Sequence, residues 1–420
     1  MDTETVQSQI VSTQTGSTAK QSVRLHYLDW LRIIAMLGVF LFHATFPFNE
    51  LDFHIKNAEQ STVITVLHGF MLPWGMPLFF LIAGAGSRFA LQRRTPGQYV
   101  RERFDRLLIP FVVGSLLLSP IQRYFEWSHK LQTGVLQGSF LEFIQSLAWG
   151  PSPRFFGEAG YHLWFLGFLF CYSLLTLPLF RWFKGEAGQR FVSRMARLCE
   201  HRGGILLFIL PLLVVRLSLQ PFFPHWGNWA NFVSFLSFFI LGYLLFADER
   251  YTQALRRDWP IMLLVGIVAF LAAAAFPIAT GELDIEAAPR TPLDVAWWAL
   301  FTVCSWCWTG FVVFVGMRFL DFRNKWLQYG QEALLPFFVV HQPVIIVLAF
   351  FVVQWDAGLL PKILAVVLGA FIVSLGFYEL LVRRVAPLRA MFGMKAAITP
   401  PAAQTQESVL ASRPGSATSA

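Results

Sequence analysis

Charge is scarce in this sequence. Of 420 residues only 14% are Asp, Glu, Lys or Arg, while 55% are hydrophobic and 16% aromatic. A soluble domain carries about a quarter charged residues, so a soluble fold is not the expectation. Cysteine is scarcer: of four, Cys171, Cys304 and Cys307 fall inside apolar runs and Cys199 in a basic stretch. This pattern offers no external disulfide framework. Cys304 and Cys307 make a lone C-x-x-C between tryptophans, without the second pair a zinc site needs, and read as two small apolar helix residues. Residues 1–22 lack both a basic leader and an apolar core, which excludes a cleavable signal peptide and leaves a disordered cytoplasmic tail. No H-E-x-x-H, G-x-S-x-G, Walker or dinucleotide fingerprint stands where it could work. Metal catalysis and a bound cofactor are therefore not expected. Nor is there an internal repeat of the kind that marks many transporters. The net charge of +8 lies between apolar runs rather than on one face, so nucleic acid is not an expected partner.

What the chain has is length in its apolar runs. Candidate spans fall at about 28–48, 62–87, 104–123, 162–182, 203–221, 229–247, 259–279, 294–317, 333–353 and 361–382, each near the ~20 residues that cross a hydrocarbon core. Pro73 and Pro77 predict a kink in the second. The fold class is all-α, a polytopic membrane protein of about ten transmembrane helices spanning 23–392 and in contact with membrane lipids. Arginines and lysines concentrate in alternate loops, including 88–106, 181–202, 250–257, 318–325 and 383–395. The opposite loops hold few, such as Lys56, Arg123, Lys130, Arg154, Arg216 and Lys362, and include the acidic Glu282, Asp284 and Glu286. The positive-inside rule then predicts both termini in the cytoplasm and a multi-pass protein of the inner membrane. The long outer connection 124–161 contains SFLEFIQSLAW, whose spacing predicts a helix lying on the interface. Residues 393–420, rich in Ala, Pro, Ser and Thr, read as a second disordered tail.

The stretch Arg24 to Phe48, RLHYLDWLRIIAMLGVFLFHATFPF, carries Asp29, Arg32 and His43 inside an apolar span. Each such residue costs roughly 2.5–3.5 kcal/mol on insertion scales and is a functional-site hypothesis by default. Arg32 and His43 are eleven positions apart, about three turns plus 20°, so they share a face ~16 Å apart along the axis. Asp29 is placed to pair with Arg32 at i,i+3.

An arginine, ten residues and a histidine in a first span opened by LDWLR resembles the signature of the acyltransferase-3 family of integral membrane enzymes. MPLFFLIAGAG at 76–86, RRTPGQYVRERFDRLLIPF at 93–111, YHLWFLGFLF at 161–170 and VVHQPV at 339–344 resemble further segments of that family. The likeness runs from about Arg24 to Pro387, departs at Ala83 where Ser is frequent, and looks closest to the branch that succinylates bacterial periplasmic glucans.

The resemblance implies transfer of an acyl group from cytoplasmic acyl-CoA, a substrate rather than a bound cofactor, to a hydroxyl of an envelope carbohydrate or glycan. His43 is then the catalytic base, or a transient acyl carrier, because an alcohol needs its proton removed as the ester forms. The alternative is a structural histidine bonded to a helix carbonyl. Arg32 would hold a phosphate or pantetheine carbonyl, or else serve as a snorkelling anchor. Arg88, Arg103 and Arg106 are the candidates for the nucleotide phosphates, at a helix start that adds its own anion attraction; topology or lipid contact is the competing reading. His68, His162, Trp164 and His341 are candidates for the acceptor side or a tunnel, against structural or interfacial roles. The rival function is a transporter or flippase for a lipid-linked saccharide, which would also use intramembrane charge.

Overall fold

A computed structural model describes residues 25–147, 150–280, 288–289 and 291–394. The tail 1–22, the acidic Glu282–Glu286 segment and nearly all of 393–420 lie outside the described residues.

The described residues form helices joined by short connections, with no β-strand among them. The helices are α1 His26–Thr45, α2 Thr62–Met71, α3 Gly75–Arg93, α4 Pro96–Arg103, α5 Ile109–Leu117, α6 Ser119–Gln132, α7 Phe140–Gln145, α8 Arg154–Gly160 and α9 Trp164–Leu175. They continue as α10 Leu177–Lys184, α11 Glu186–Leu198, α12 Ile209–Leu219, α13 Trp229–Leu245, α14 Glu249–Thr280, α15 Pro292–Phe319, α16 Lys325–Val352, α17 Leu359–Phe377 and α18 Ala386–Met391. Six helical segments among the described residues are long and apolar enough to cross a membrane, and eight if each of two bent pairs counts once. Two shorter apolar helices, Gly204–Leu219 and Trp229–Leu245, fall below that length. The chain is thus an all-α polytopic membrane protein.

Proline accounts for the interruptions. The second apolar run breaks between Met71 and Gly75, where Pro73 cannot donate a helix bond. The third slips into π-helix over Phe104–Leu108, with the Ile109 N–H bonding back to the Phe104 carbonyl. Pro110 has no N–H for the Arg106 carbonyl, and the wider register absorbs that loss. The same run bends by 42° ahead of Pro120, and the fourth bends by 47° ahead of Pro178. In the 124–161 connection α6 runs on to Gln132 and α8 follows at Arg154, and the helix expected in SFLEFIQSLAW is α7, six residues long and capped by a reciprocal Ser139–Glu142 box.

Glycine sets the closest helix crossing. A Cβ at Gly84 on α3 would stand 1.9 Å from the Phe239 carbonyl of α13, and one at Gly242 would stand 1.9 Å from the Leu81 carbonyl of α3. With little hydrophobic drive between helices in lipid, backbone contact of this kind supplies van der Waals attraction and fixes the pair.

Basic groups tie together one end of the bundle. Arg88, near the end of α3, donates to the carbonyls of Phe246 and Ala247 just past α13. Lys184 donates to the Leu91 carbonyl at 2.9 Å. The His26 N–H meets Asp321 at 3.1 Å and Trp30 Nε1 meets the Phe322 carbonyl at 3.1 Å. Arg389 lies 3.6 Å from Glu332 in the first turns of α16. The first and last described helices therefore start and finish at the same end, the end that carries Arg32. His43 lies toward the other.

Candidate active site

α1 delivers His43 to the bundle interior, where α16 and the 3₁₀ turn Tyr161–Leu163 bring two more imidazoles. His43 Nδ1 and His341 Nε2 are 3.0 Å apart, and their rings lie nearly parallel with centroids 5.2 Å apart. The His162 ring stands edge-on to His341 at 4.9 Å and to His43 at 6.4 Å.

The bonds at the far ends decide where the protons sit. A carbonyl oxygen only accepts. The Phe338 carbonyl is 2.7 Å from His341 Nδ1 and 2.9 Å from His162 Nε2, so both nitrogens carry hydrogen. His341 Nε2 then holds a lone pair, and the 3.0 Å contact is a bond donated by His43 Nδ1. In the neutral ring this leaves His43 Nε2 as a bare lone pair. His43 is half-buried and its Nε2 is not among the sealed-off, unpartnered atoms. His162 Nδ1 is also without a partner but fully enclosed. The open basic nitrogen of the cluster is therefore His43 Nε2. His341 is the group that orients it, and Pro343, two positions later in α16, cannot donate to the helix.

His68 does not join this cluster. Asn49 Nδ2 donates to His68 Nδ1 at 2.6 Å, since Asn49 Oδ1 is already taken by Lys56 Nζ and the Leu51 N–H, both at 3.0 Å. His68 Nε2 then donates to Thr45 Oγ1 at 3.0 Å, and Thr45 passes its own proton to the Leu41 carbonyl. Both ring nitrogens are used, so His68 braces the C-terminal end of α1. Trp164 also stands apart. It stacks on Phe235 at 5.7 Å and packs against Phe168 and Trp226.

Arg32 sits three turns from His43 on α1. It pairs with Asp29 at 3.0 Å and donates to the Ile82 carbonyl at 3.3 Å. Gly86 makes room for it, because a Cβ there would stand 2.8 Å from Nη2. Tyr99 ties α4 to α3 through Ser87 Oγ at 2.9 Å, and Arg103 lies over the Tyr99 ring at 4.7 Å with its Nε buried and unpartnered. Arg106 reaches Glu102 at 3.6 Å, which Arg94 also holds at 2.8 Å. Arg88 spends its donors on the α13 terminus as described. Arg32, Arg88, Arg103 and Arg106 share one end of the bundle.

Two features went unseen in the sequence. Tyr161, immediately before His162, has φ +51°, the only positive φ outside glycine among the described residues. Its hydroxyl donates to Glu126 Oε2 at 2.7 Å, a carboxylate also held by His54 at 3.0 Å and Lys130 at 2.7 Å, and Arg123 lies over its ring at 5.5 Å. Strain of about 1–3 kcal/mol at such a position persists only where the surroundings hold it. Here it turns the chain so that His162 points into the cluster. The second feature is Arg216, which the charge pattern counts among outer-loop residues. It is buried in α12 at 5% exposure, and an arginine inside an apolar run was the available signal.

Comparison with known proteins places these observations. The acyltransferase domain family matches residues 25–379. The chain is similar to the glucans biosynthesis protein C of Salmonella paratyphi A and of Salmonella agona (strain SL483), each 23% identical over 339 residues, 76% of this chain and 82% of the relative. No solved structure matches.

Proposed function

Because this chain belongs to the acyltransferase-3 family and is an O-acyltransferase, we propose that it moves an acyl group from cytoplasmic acyl-CoA to a hydroxyl of an envelope glycan. The glycan acceptor is supported by the glucans biosynthesis relatives. In this reading the arginine-bearing end of the bundle faces the cytoplasm, as do both termini. The two short apolar helices complete ten crossings of the inner membrane.

The observation that carries the reading is the proton arrangement at His43. Its Nδ1–H is committed to His341, so Nε2 faces the reacting groups as a base. The acceptor hydroxyl gives its proton to His43 Nε2 while its oxygen forms the new bond to the thioester carbonyl carbon. The imidazolium so formed is stabilised through Nδ1–H by the lone pair of His341, whose own proton stays on Nδ1 and is donated to the Phe338 carbonyl. The tetrahedral intermediate then expels the CoA thiolate, which takes the proton from His43 Nε2. His162, whose Nε2–H shares the Phe338 carbonyl with His341, packs edge-on against the other two rings and holds them in place. Arg32, held by Asp29 against α3, attracts the pantetheine or phosphate oxygens of the donor. Arg88, Arg103 and Arg106 supply positive charge for its nucleotide end.

The test is mass spectrometry of envelope glycans from cells with and without the protein, together with His43→Ala and Arg32→Ala variants verified as membrane-inserted. A new ester in the wild type, absent in both variants, supports the reading. Wild-type ester levels in an inserted His43→Ala protein reject it.

A further inference from the structure

Arg216 raises a separate question, because no counter-charge meets it among the described residues. Among the described residues no carboxylate approaches its guanidinium. Nη1 alone is occupied, donating to Gln220 Oε1 at 3.0 Å and Asn231 Oδ1 at 3.1 Å. The head lies over the Trp298 ring at 5.1 Å and the Phe301 ring at 5.9 Å. A charge this deeply enclosed costs several kcal/mol unless it is paired, and aromatic faces return only about 2 kcal/mol when desolvated.

The unpaired edge opens on a cleft. Arg216, Asn231, Ser234, Thr302 and Ser305 contribute to its wall. The Nε and Nη2 atoms of Arg216 and the Nδ2 of Asn231 bond to nothing among the described residues, yet they are not sealed off. Ser234, 5% exposed, has a buried hydroxyl with no partner. Thr302 and Ser305 give their protons to the carbonyls of Trp298 and Phe301 at 2.8 and 2.9 Å, so they offer only lone pairs. The cleft therefore presents a surplus of donors and one positive charge. The cleft is distinct from the histidine cluster: none of His43, His162 and His341 lines it.

We propose that this cleft binds a monoanionic carboxylate. The Nε/Nη2 edge of a guanidinium matches the two oxygens of a planar carboxylate, and Ser234 and Asn231 donate to the remaining lone pairs. A phosphate dianion would leave one negative charge uncompensated. The cleft is tight, its enclosed part having room for about one water. Leu72 and Pro73 from the break between α2 and α3, and Pro77 from the first turn of α3, line it. Two sources share this chemistry, a free small carboxylate and a carboxylate at the far end of an acyl chain.

The experiment is thermal unfolding of the purified full-length protein in detergent, titrated with acetate and succinate and, in parallel, with acetamide and succinamide at equal ionic strength. Saturable stabilisation by the carboxylates alone is expected. Ser234→Ala should weaken it severalfold, and Arg216→Met should abolish it while raising the midpoint of the unliganded protein. Stronger stabilisation by the CoA monothioester of a dicarboxylic acid than by acetyl-CoA assigns the carboxylate to an acyl chain; equality assigns it to a free ligand. Absence of any saturable carboxylate effect in the wild type overturns the proposal. So does a triple Glu282→Gln, Asp284→Asn, Glu286→Gln variant that lowers the midpoint and whose effect vanishes in the Arg216→Met background, since the chain would then supply its own counter-ion. The readout is binding and does not depend on whether acyl transfer from CoA is observed.

Discussion

Replacing His341 by Ala separates an oriented base from a histidine that merely fills space. In the wild type His341 Nε2 accepts from His43 Nδ1 at 3.0 Å while its Nδ1–H is anchored 2.7 Å from the Phe338 carbonyl. Removing it frees the His43 ring to rotate or to place its proton on Nε2, the wrong nitrogen for a base. It also removes the acceptor that stabilises the imidazolium formed in the transition state. A hydrogen bond to a charged group is worth about 1.5–3 kcal/mol, which corresponds to a loss of about 10- to 150-fold in kcat. KM should hold, because the ground state is touched little. His341→Gln places a side-chain oxygen near the position of Nε2 and should recover activity to within about tenfold of wild type. His43→Ala, which removes the base itself, should cost about 10²–10⁴-fold. The assay is initial-rate acyl transfer by the full-length protein in membranes, with each variant normalised to inserted protein. Wild-type kcat in His341→Ala would refute the reasoning. So would equal loss in His341→Ala and His341→Gln accompanied by a raised KM, since that pattern marks a packing defect.

Three further outcomes are expected. Gly84→Ala and Gly242→Ala each force a methyl to 1.9 Å from a facing carbonyl, so both should destabilise the protein by about 1–3 kcal/mol or more, read as a lower unfolding midpoint by fluorescence-detected size exclusion; an unchanged midpoint in both would show that the crossing is looser. Arg103→Ala and Arg106→Ala should each raise the KM for acyl-CoA about tenfold with kcat unchanged, as expected of uniform binding contacts, and kinetics at varied donor concentration decides this. Burial pushes the Cys199 thiol up to about 11, opposed by Arg257 and reinforced by Asp258, and the residue is 2% exposed. It should therefore resist a maleimide at pH 8 in the native protein and react on unfolding, as followed by intact-mass measurement.

Hydropathy and spacing alone determined that the chain is an all-α membrane protein, where its apolar runs fall, and that Asp29, Arg32 and His43 belong to one helix. These are local properties, set by side-chain transfer free energy and the 3.6-residue period, and they need no knowledge of neighbours. The i,i+3 pairing of Asp29 with Arg32 was legible for the same reason. The prolines foretold an interruption in the second run; that the third would slip into a π-helical register and the fourth bend was not legible, because proline removes a bond without dictating how the backbone recovers. Only the tertiary structure decided which histidines work together. His43 and His341 are 298 positions apart, so their bond depends on how α1 packs against α16, and hydropathy treats any buried histidine alike. The same holds for His68, whose position in an apolar run said nothing of the Asn49 and Thr45 bonds that consume both its nitrogens. It holds also for Arg216, a charge that sequence counting places at a helix end and packing places against aromatic rings. Proton positions follow from partners, and partners follow from packing.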